Sequence, residues 1–238
     1  MLWRVNRENV LLLGGGRALI LQVAHPLVAA GVEEHSGYRE HPWSRLYRTL
    51  DLTTRIVFGP TAMAEEASRR IWQAHGHVRG QAPDGTPYDA RNPELLMWVH
   101  ATLLDTALLV YQRYVARLPI ADLTRYYEDQ RLLGEKFGIP RQHQPATYGE
   151  FNEYFAAMLE GDNLRVTDTL REVARMTLRF GPLDLITIEL LPARMREELG
   201  LSWGPRRERL LGASQRLVRS LMPAVPGRLR HAPPGRRV

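Results

Sequence analysis

Apolar residues recur along this chain at three- and four-residue spacing, and no convincing alternating strand interrupts them. A chain patterned in this way pairs its backbone within helices and must bury one stripe of each helix against another. Start and stop signals divide it. A helix over Arg17 to Ala30 follows three consecutive glycines, Gly14 to Gly16, and ends near Gly31. Trp43 to Phe58 follows the His41-Pro42 break, and Pro60-Thr61 opens a helix to about Val78. The turn-rich stretch Gly80 to Tyr88 reads as a long functional loop or a short hairpin. Helices are then expected over Pro93 to Val115 and over Asp122 to Phe137, the latter stopped by Gly138-Ile139-Pro140. Thr147 with Glu150 reads as a capping box for a helix through Leu159. Leu164 to Phe180, Leu183 to Leu199 and Arg206 to Leu221 complete the set. With no linker or repeat, residues 1–238 are expected to form a single globular all-α domain of roughly eight to ten helices.

Composition narrows the chemistry. The 238 residues are 44% apolar and 24% charged, which is globular, and the absence of cysteine excludes disulfides, thiolate metal sites and a thiol nucleophile. A metal here is held by His, Asp, Glu or a macrocycle. The net charge is +6, Lys136 is the only lysine, and arginines crowd the last fifth of the chain. That segment is either a solvated face ending in an Arg/Pro-rich tail that frays over residues 222–238, or a contact for phosphates or an anionic membrane surface. Val10 to Val32 is apolar but broken by Arg17, Gln22, His25 and Pro26, so it reads as a buried helix rather than a membrane span. With no secretory signal visible, the protein is expected in the cytoplasm.

Three of the eight histidines fall on inward helical faces. His25 lies among Leu21, Ala24 and Val28. His75 follows Ala67 and Ile71 at four-residue steps, and His100 shares a face with Leu96, Leu103 and Leu104. His77 is turned away from that stripe. Arg45, Arg48, Thr49 and Leu52 also share one helical face, an arrangement that suits an anion, a propionate or a polarised oxygen species in a cavity, or arginines that snorkel to solvent. No glutamate has a histidine three residues after it and no His-Glu-x-x-His motif is spelled, which removes carboxylate-bridged di-iron and zincin chemistries; Gly14-Gly15-Gly16-Arg17 opens a helix where backbone amides can meet an anion, but it follows no strand and spells no Walker or dinucleotide motif.

The strings Gly14-Gly15-Gly16-Arg17-Ala18-Leu19, Gln22-Val23-Ala24-His25-Pro26-Leu27, Arg45-Leu46-Tyr47-Arg48-Thr49, His75-Gly76-His77-Val78-Arg79-Gly80, Pro93 to Leu103, and Leu191-Pro192-Ala193-Arg194 with Leu201-Ser202-Trp203 occur in series. Together they resemble the family of the mycophenolate-pathway oxygenase and the latex-clearing (rubber) oxygenases, over residues 10–232. The resemblance implies an all-α fold around a b-type haem with one axial histidine. His75 and Arg79 match the family's His-x-x-x-Arg pattern. Arg45, Arg48 and Thr49 match its distal Arg-x-x-Lys-Thr helix, with Arg48 replacing the lysine. Arginine does not deprotonate to become an iron ligand, so the distal chemistry departs from the family there. His100 is the fallback iron ligand, His25 a further pocket residue, and Glu34, or its neighbour Glu33, the nearest candidate for the family's distal glutamate base.

These readings lead to a haem b-dependent oxidoreductase that activates dioxygen against an apolar, olefinic or isoprenoid substrate. A non-catalytic haem-binding carrier or sensor of the same fold is the alternative. An arginine-rich nucleic-acid binder ranks third, since no helix-turn-helix signature supports it and no nucleic-acid partner is expected.

Overall fold

A computed structural model describes residues 1–40, 42–179 and 181–231, without the side chains of residues 42–46, 182 and 183. Thirteen α-helices carry the described chain: α1 (Leu2–Asn6), α2 (Gly15–Ala24), α3 (Pro26–His35), α4 (Pro42–Phe58), α5 (Thr61–His75), α6 (Pro93–Tyr114), α7 (Ile120–Lys136), α8 (Tyr148–Glu160), α9 (Asp168–Thr177), α10 (Pro182–Leu190), α11 (Ala193–Glu198), α12 (Pro205–Leu221) and α13 (Gly227–Arg230). Between α5 and α6 stand β1 (Arg79–Gln81) and β2 (Pro87–Asp89), an antiparallel pair that matches Gly80 with Tyr88. The turn-rich segment is therefore a short hairpin, closed where Thr86 N–H donates to Asp84 and Gly85 takes φ +84°.

Local chemistry explains most boundaries. Asn92 accepts from the Glu94 amide ahead of Pro93, which opens α6. Thr147 accepts from the Glu150 amide at 3.1 Å, and the Glu150 carboxylate reaches back to the Ala146 amide at 2.9 Å. The helix expected over Arg17 to Ala30 is two helices, α2 and α3, bent by 104°. Pro26 has no N–H to continue α2 and drives His25 out of the α region, to ψ 121°. Pro192 splits the helix expected over Leu183 to Leu199 in the same way.

The helix α6 runs through the centre. Its length and apolar content would suffice for a membrane span, yet Trp98, Ala101, Leu104, Leu108 and Tyr111 are all buried in the main core. Trp98 Nε1–H donates to the Leu21 carbonyl of α2 at 3.1 Å, and the indole stacks on Phe155 of α8 at 5.6 Å. Across the same contact lies the buried Arg17. Its Nε donates to the Leu190 carbonyl at 2.8 Å, one Nη to Thr106 Oγ1 at 2.5 Å, and the other to Asp105 at 2.6 Å. One guanidinium thus ties α2, α6 and α10.

Two of the three consecutive glycines serve this packing. A Cβ on Gly14 would collide with the Thr106 side chain of α6, and one on Gly16 would lie 2.6 Å from Thr187 Oγ1 of α10, whereas Gly15 faces open space. Gly15→Ala should leave stability unchanged or raise it by up to about 1 kcal/mol through helix propensity. Gly16→Ala should lower stability by about 1–3 kcal/mol through overpacking. Urea denaturation of the two variants checks this; equal midpoints would refute the packing role.

The terminal segment expected to fray from residue 222 instead holds structure through His231. Met222–Ala224 forms a 3-10 turn, α13 follows, and Arg230 Nε donates to the buried Glu8 carboxylate at 2.6 Å. A buried carboxylate retains its partner because an unpaired charge there is costly. Residues 232–238 lie outside the described residues.

Candidate functional site

His75 is the last residue of α5, on the stripe below buried Ala67 and half-buried Ile71. Its Nδ1 is buried and has no hydrogen-bond partner. Burial holds the imidazole below the ordinary histidine pKa, the nearby Arg91 guanidinium lowers it further, and Asp89 opposes both. The ring is therefore neutral at pH 7. Arg91 is fixed by two bonds to the Trp72 carbonyl, at 3.0 and 2.8 Å, and lies 4.6 Å over the Trp72 ring. Gly76, next to the histidine, leaves the space it crosses: a Cβ there would meet the guanidinium carbon at 2.6 Å. Sequence reading missed Arg91, because the contact spans α5 and the hairpin; its one local signal is a position at the hairpin's exit, just before the α6 cap.

The hairpin that follows His75 packs on α3. The bare Cα of Gly31 faces Val78 and Tyr88, and Gly80 sits where a Cβ would lie 2.8 Å from both Glu34 Oε2 and the Tyr88 hydroxyl. The buried Tyr88 donates a short hydrogen bond to the Glu34 carboxylate, which leaves its oxygen as acceptor for His35 Nε2, 3.1 Å away. Burial first, then the bond to Glu34, pushes the Tyr88 phenol up to about 12. Glu33 points elsewhere: with Glu172 it shares the Tyr38 hydroxyl and the Arg39 guanidinium. The geometry thus separates the two adjacent carboxylates, Glu34 toward the hairpin and Glu33 into an ion-pair cluster.

Gly59 and Pro60 fold α5 back along α4, so the start of α4, with Arg45, Arg48 and Thr49, lies level with the end of α5. Arg48 and Thr49 are exposed, and the side chain of Arg45 lies outside the described residues. Arg79 is exposed on β1. His25 caps α3, its Nδ1 accepting from the Leu27 amide at 3.3 Å. His100 is buried on α6 with Leu96 and Leu104, while Leu103, at the edge of that face, is 42% exposed. Its Nε2 lies 3.0 Å from the Gln130 carbonyl, which can only accept, so Nε2 carries the proton and ligation through it would break this bond. Two clefts, of about 600 Å³ beside Arg131, His143 and Tyr154 and about 330 Å³ beside Trp3, Ile56 and Leu133, include none of these residues.

Burial pushes the His100 pKa down to about 4. The unfolded imidazole, at about 6.5, binds a proton before the folded one does, so this contribution is full above pH 6.5 and is lost as pH falls toward 4. The loss amounts to at most about 3 kcal/mol. Denaturation midpoints at pH 7 and pH 4.5 should therefore differ less in His100→Gln than in the wild type; equal differences would contradict the burial argument.

Among the described residues no group of three or more His, Asp or Glu is placed to hold a bare metal ion. One neutral imidazole with a free ring nitrogen fits a macrocycle-bound iron, which needs a single protein ligand.

The chain belongs to the family described as ER-bound oxygenase mpaB/B'/rubber oxygenase, catalytic domain, which it matches over residues 3–225. It is similar to two uncharacterized proteins, Rv2237 of Mycobacterium tuberculosis and Mb2261 of Mycobacterium bovis, at 27% identity over 205 residues, covering 80% of this chain and 80% of each relative. No solved structure matches it.

Proposed function

We propose that this protein is a haem b-dependent oxygenase that uses dioxygen on an apolar, olefinic or isoprenoid substrate in the cytoplasm. The observation that carries the reading is the neutral imidazole of His75, half-buried with its Nδ1 buried and unpartnered, at the position that matches the family's axial histidine. A bound haem supplies the redox-active iron for dioxygen chemistry, which side chains alone do not provide. His75 offers its lone pair without first losing a proton. Arg91, Arg79 and Arg48 are cations at the same end of the α4–α5 hairpin, suited to haem propionates. Glu34 takes the proton of a reacting group, its carboxylate oriented by the Tyr88 hydroxyl. Arg45, Arg48 and Thr49, at the positions that match the family's Arg-x-x-Lys-Thr helix, would supply further hydrogen-bond donors to the bound group.

The test is the absorption spectrum of protein expressed with ample haem, as isolated and after dithionite and carbon monoxide. A Soret band that shifts with carbon monoxide supports a haem with an open coordination position. A haem that ignores carbon monoxide points to the non-catalytic carrier or sensor of the same fold. A colourless protein after reconstitution overturns the haem reading altogether.

A further inference from the structure

The outer face of α12 presents an apolar row to water. Leu210, Leu217 and Leu221 are 74%, 60% and 56% exposed. Separated by seven and four residues, they fall within about 40° of one another around the helix axis. Val218 widens the row on one side and is itself 38% exposed. The row is turned outward by anchors on the opposite face. Gln215, buried, donates to Tyr114 and Glu189, and Arg219 donates to the Gln112 carbonyl at 3.1 Å.

The charges around this row are of one sign. Between residues 205 and 231 the sequence has seven arginines and one acidic residue, Glu208. Arg206 and Arg207 flank the row at its start, and Arg209 and Arg216 lie along one side, about 100–120° from Leu210. Among the described residues only Arg230 of the seven pairs with a carboxylate, that of Glu8. Arg207 and Arg209 donate only to backbone carbonyls, those of Ser202 and Pro205.

We propose that this face of α12 docks on an anionic phospholipid bilayer, the leucines entering the boundary between headgroups and acyl chains and the arginines meeting lipid phosphates. The combination selects this partner. Nucleic acid would engage the arginines and leave the leucine row in water, and a second copy of the face would bring two unpaired arginine sets together. A bilayer surface buries the apolar row and neutralises the cations in one step. The inference rests on α12 alone and is independent of haem binding.

Co-sedimentation of the full-length protein with vesicles of phosphatidylcholine, with and without phosphatidylglycerol, tests it. Binding should require phosphatidylglycerol and weaken at high salt. The double variants Leu217→Ser with Leu221→Ser and Arg209→Glu with Arg216→Glu should each reduce it by about tenfold or more. Leu132→Ser, an exposed leucine on α7, should bind as the wild type does. Circular dichroism confirms that each variant is folded. Binding that ignores lipid charge, or that survives both double variants, overturns the proposal. So does a wild type that captures duplex DNA or RNA and no vesicles, or leucine variants that change only the oligomeric state.

Discussion

In His75→Ala the Soret band of the haem-loaded protein should disappear or weaken to the level of loosely bound haem, with affinity reduced by more than about a hundredfold. The expectation follows from the chemistry of the donor set. With no cysteine in the chain and no cluster of His, Asp and Glu among the described residues, a single imidazole would carry the protein's whole covalent hold on iron under the proposed haem reading. The fold itself should survive. His75 is half-buried at a helix end and its Nδ1 bonds to nothing, so the substitution should change stability by no more than about 1 kcal/mol. Added imidazole should restore part of the band by occupying the vacated position. His100→Gln keeps a donor for the Gln130 carbonyl and should leave the spectrum intact. A full Soret band in His75→Ala, together with its loss in His100→Gln, would transfer the ligand to α6 and refute the assignment.

Arg17→Met should destabilise the α2–α6–α10 contact by about 3 kcal/mol or more. The guanidinium is 4% exposed and satisfies three acceptors, Leu190 O, Thr106 Oγ1 and Asp105. Methionine fills a similar volume but leaves Asp105 without its cation and the Leu190 carbonyl without its donor, and unmet polar groups dominate such losses. For a chain of this size the melting temperature should fall on the order of 10 °C. Arg17→Lys should recover only part of this, because one ammonium does not reproduce a planar fork aimed at three separate acceptors. Replacing Asp105 by Asn in the Arg17→Met background should cost less than it does alone. Strictly additive losses in that cycle would show that the pair is not coupled.

What the sequence by itself determined is what depends on near neighbours. The caps at Asn92-Pro93 and Thr147-Glu150 and the helical period of α4 to α7 are statements about residues within four positions of each other, where backbone geometry alone sets who meets whom. The family was legible for the same reason: its motifs are short contiguous strings, and the match over residues 3–225 covers the whole stretch those strings mark. The inward placement of His75 and His100 also followed from period. Pro26 carried the signal for the bend between α2 and α3, but apolar residues resume at helical spacing beyond it, and burial is indifferent to which helix supplies the side chain.

Only the tertiary structure decided the rest. That Glu34 meets Tyr88 while Glu33 joins Arg39 depends on the hairpin, 54 residues away, packing across Gly31 and Gly80. That Gly14 and Gly16 are packing residues rather than an anion cradle depends on Thr106 and Thr187, which arrive from α6 and α10. The row of leucines on α12 was readable as the apolar side of a helix, yet its facing water was not. Gln215 and Arg219 turned that helix over by bonding to Tyr114 and Gln112 of α6. Period fixes which side chains share a face; the partners that reach a face from distant segments decide whether it lies inside or outside.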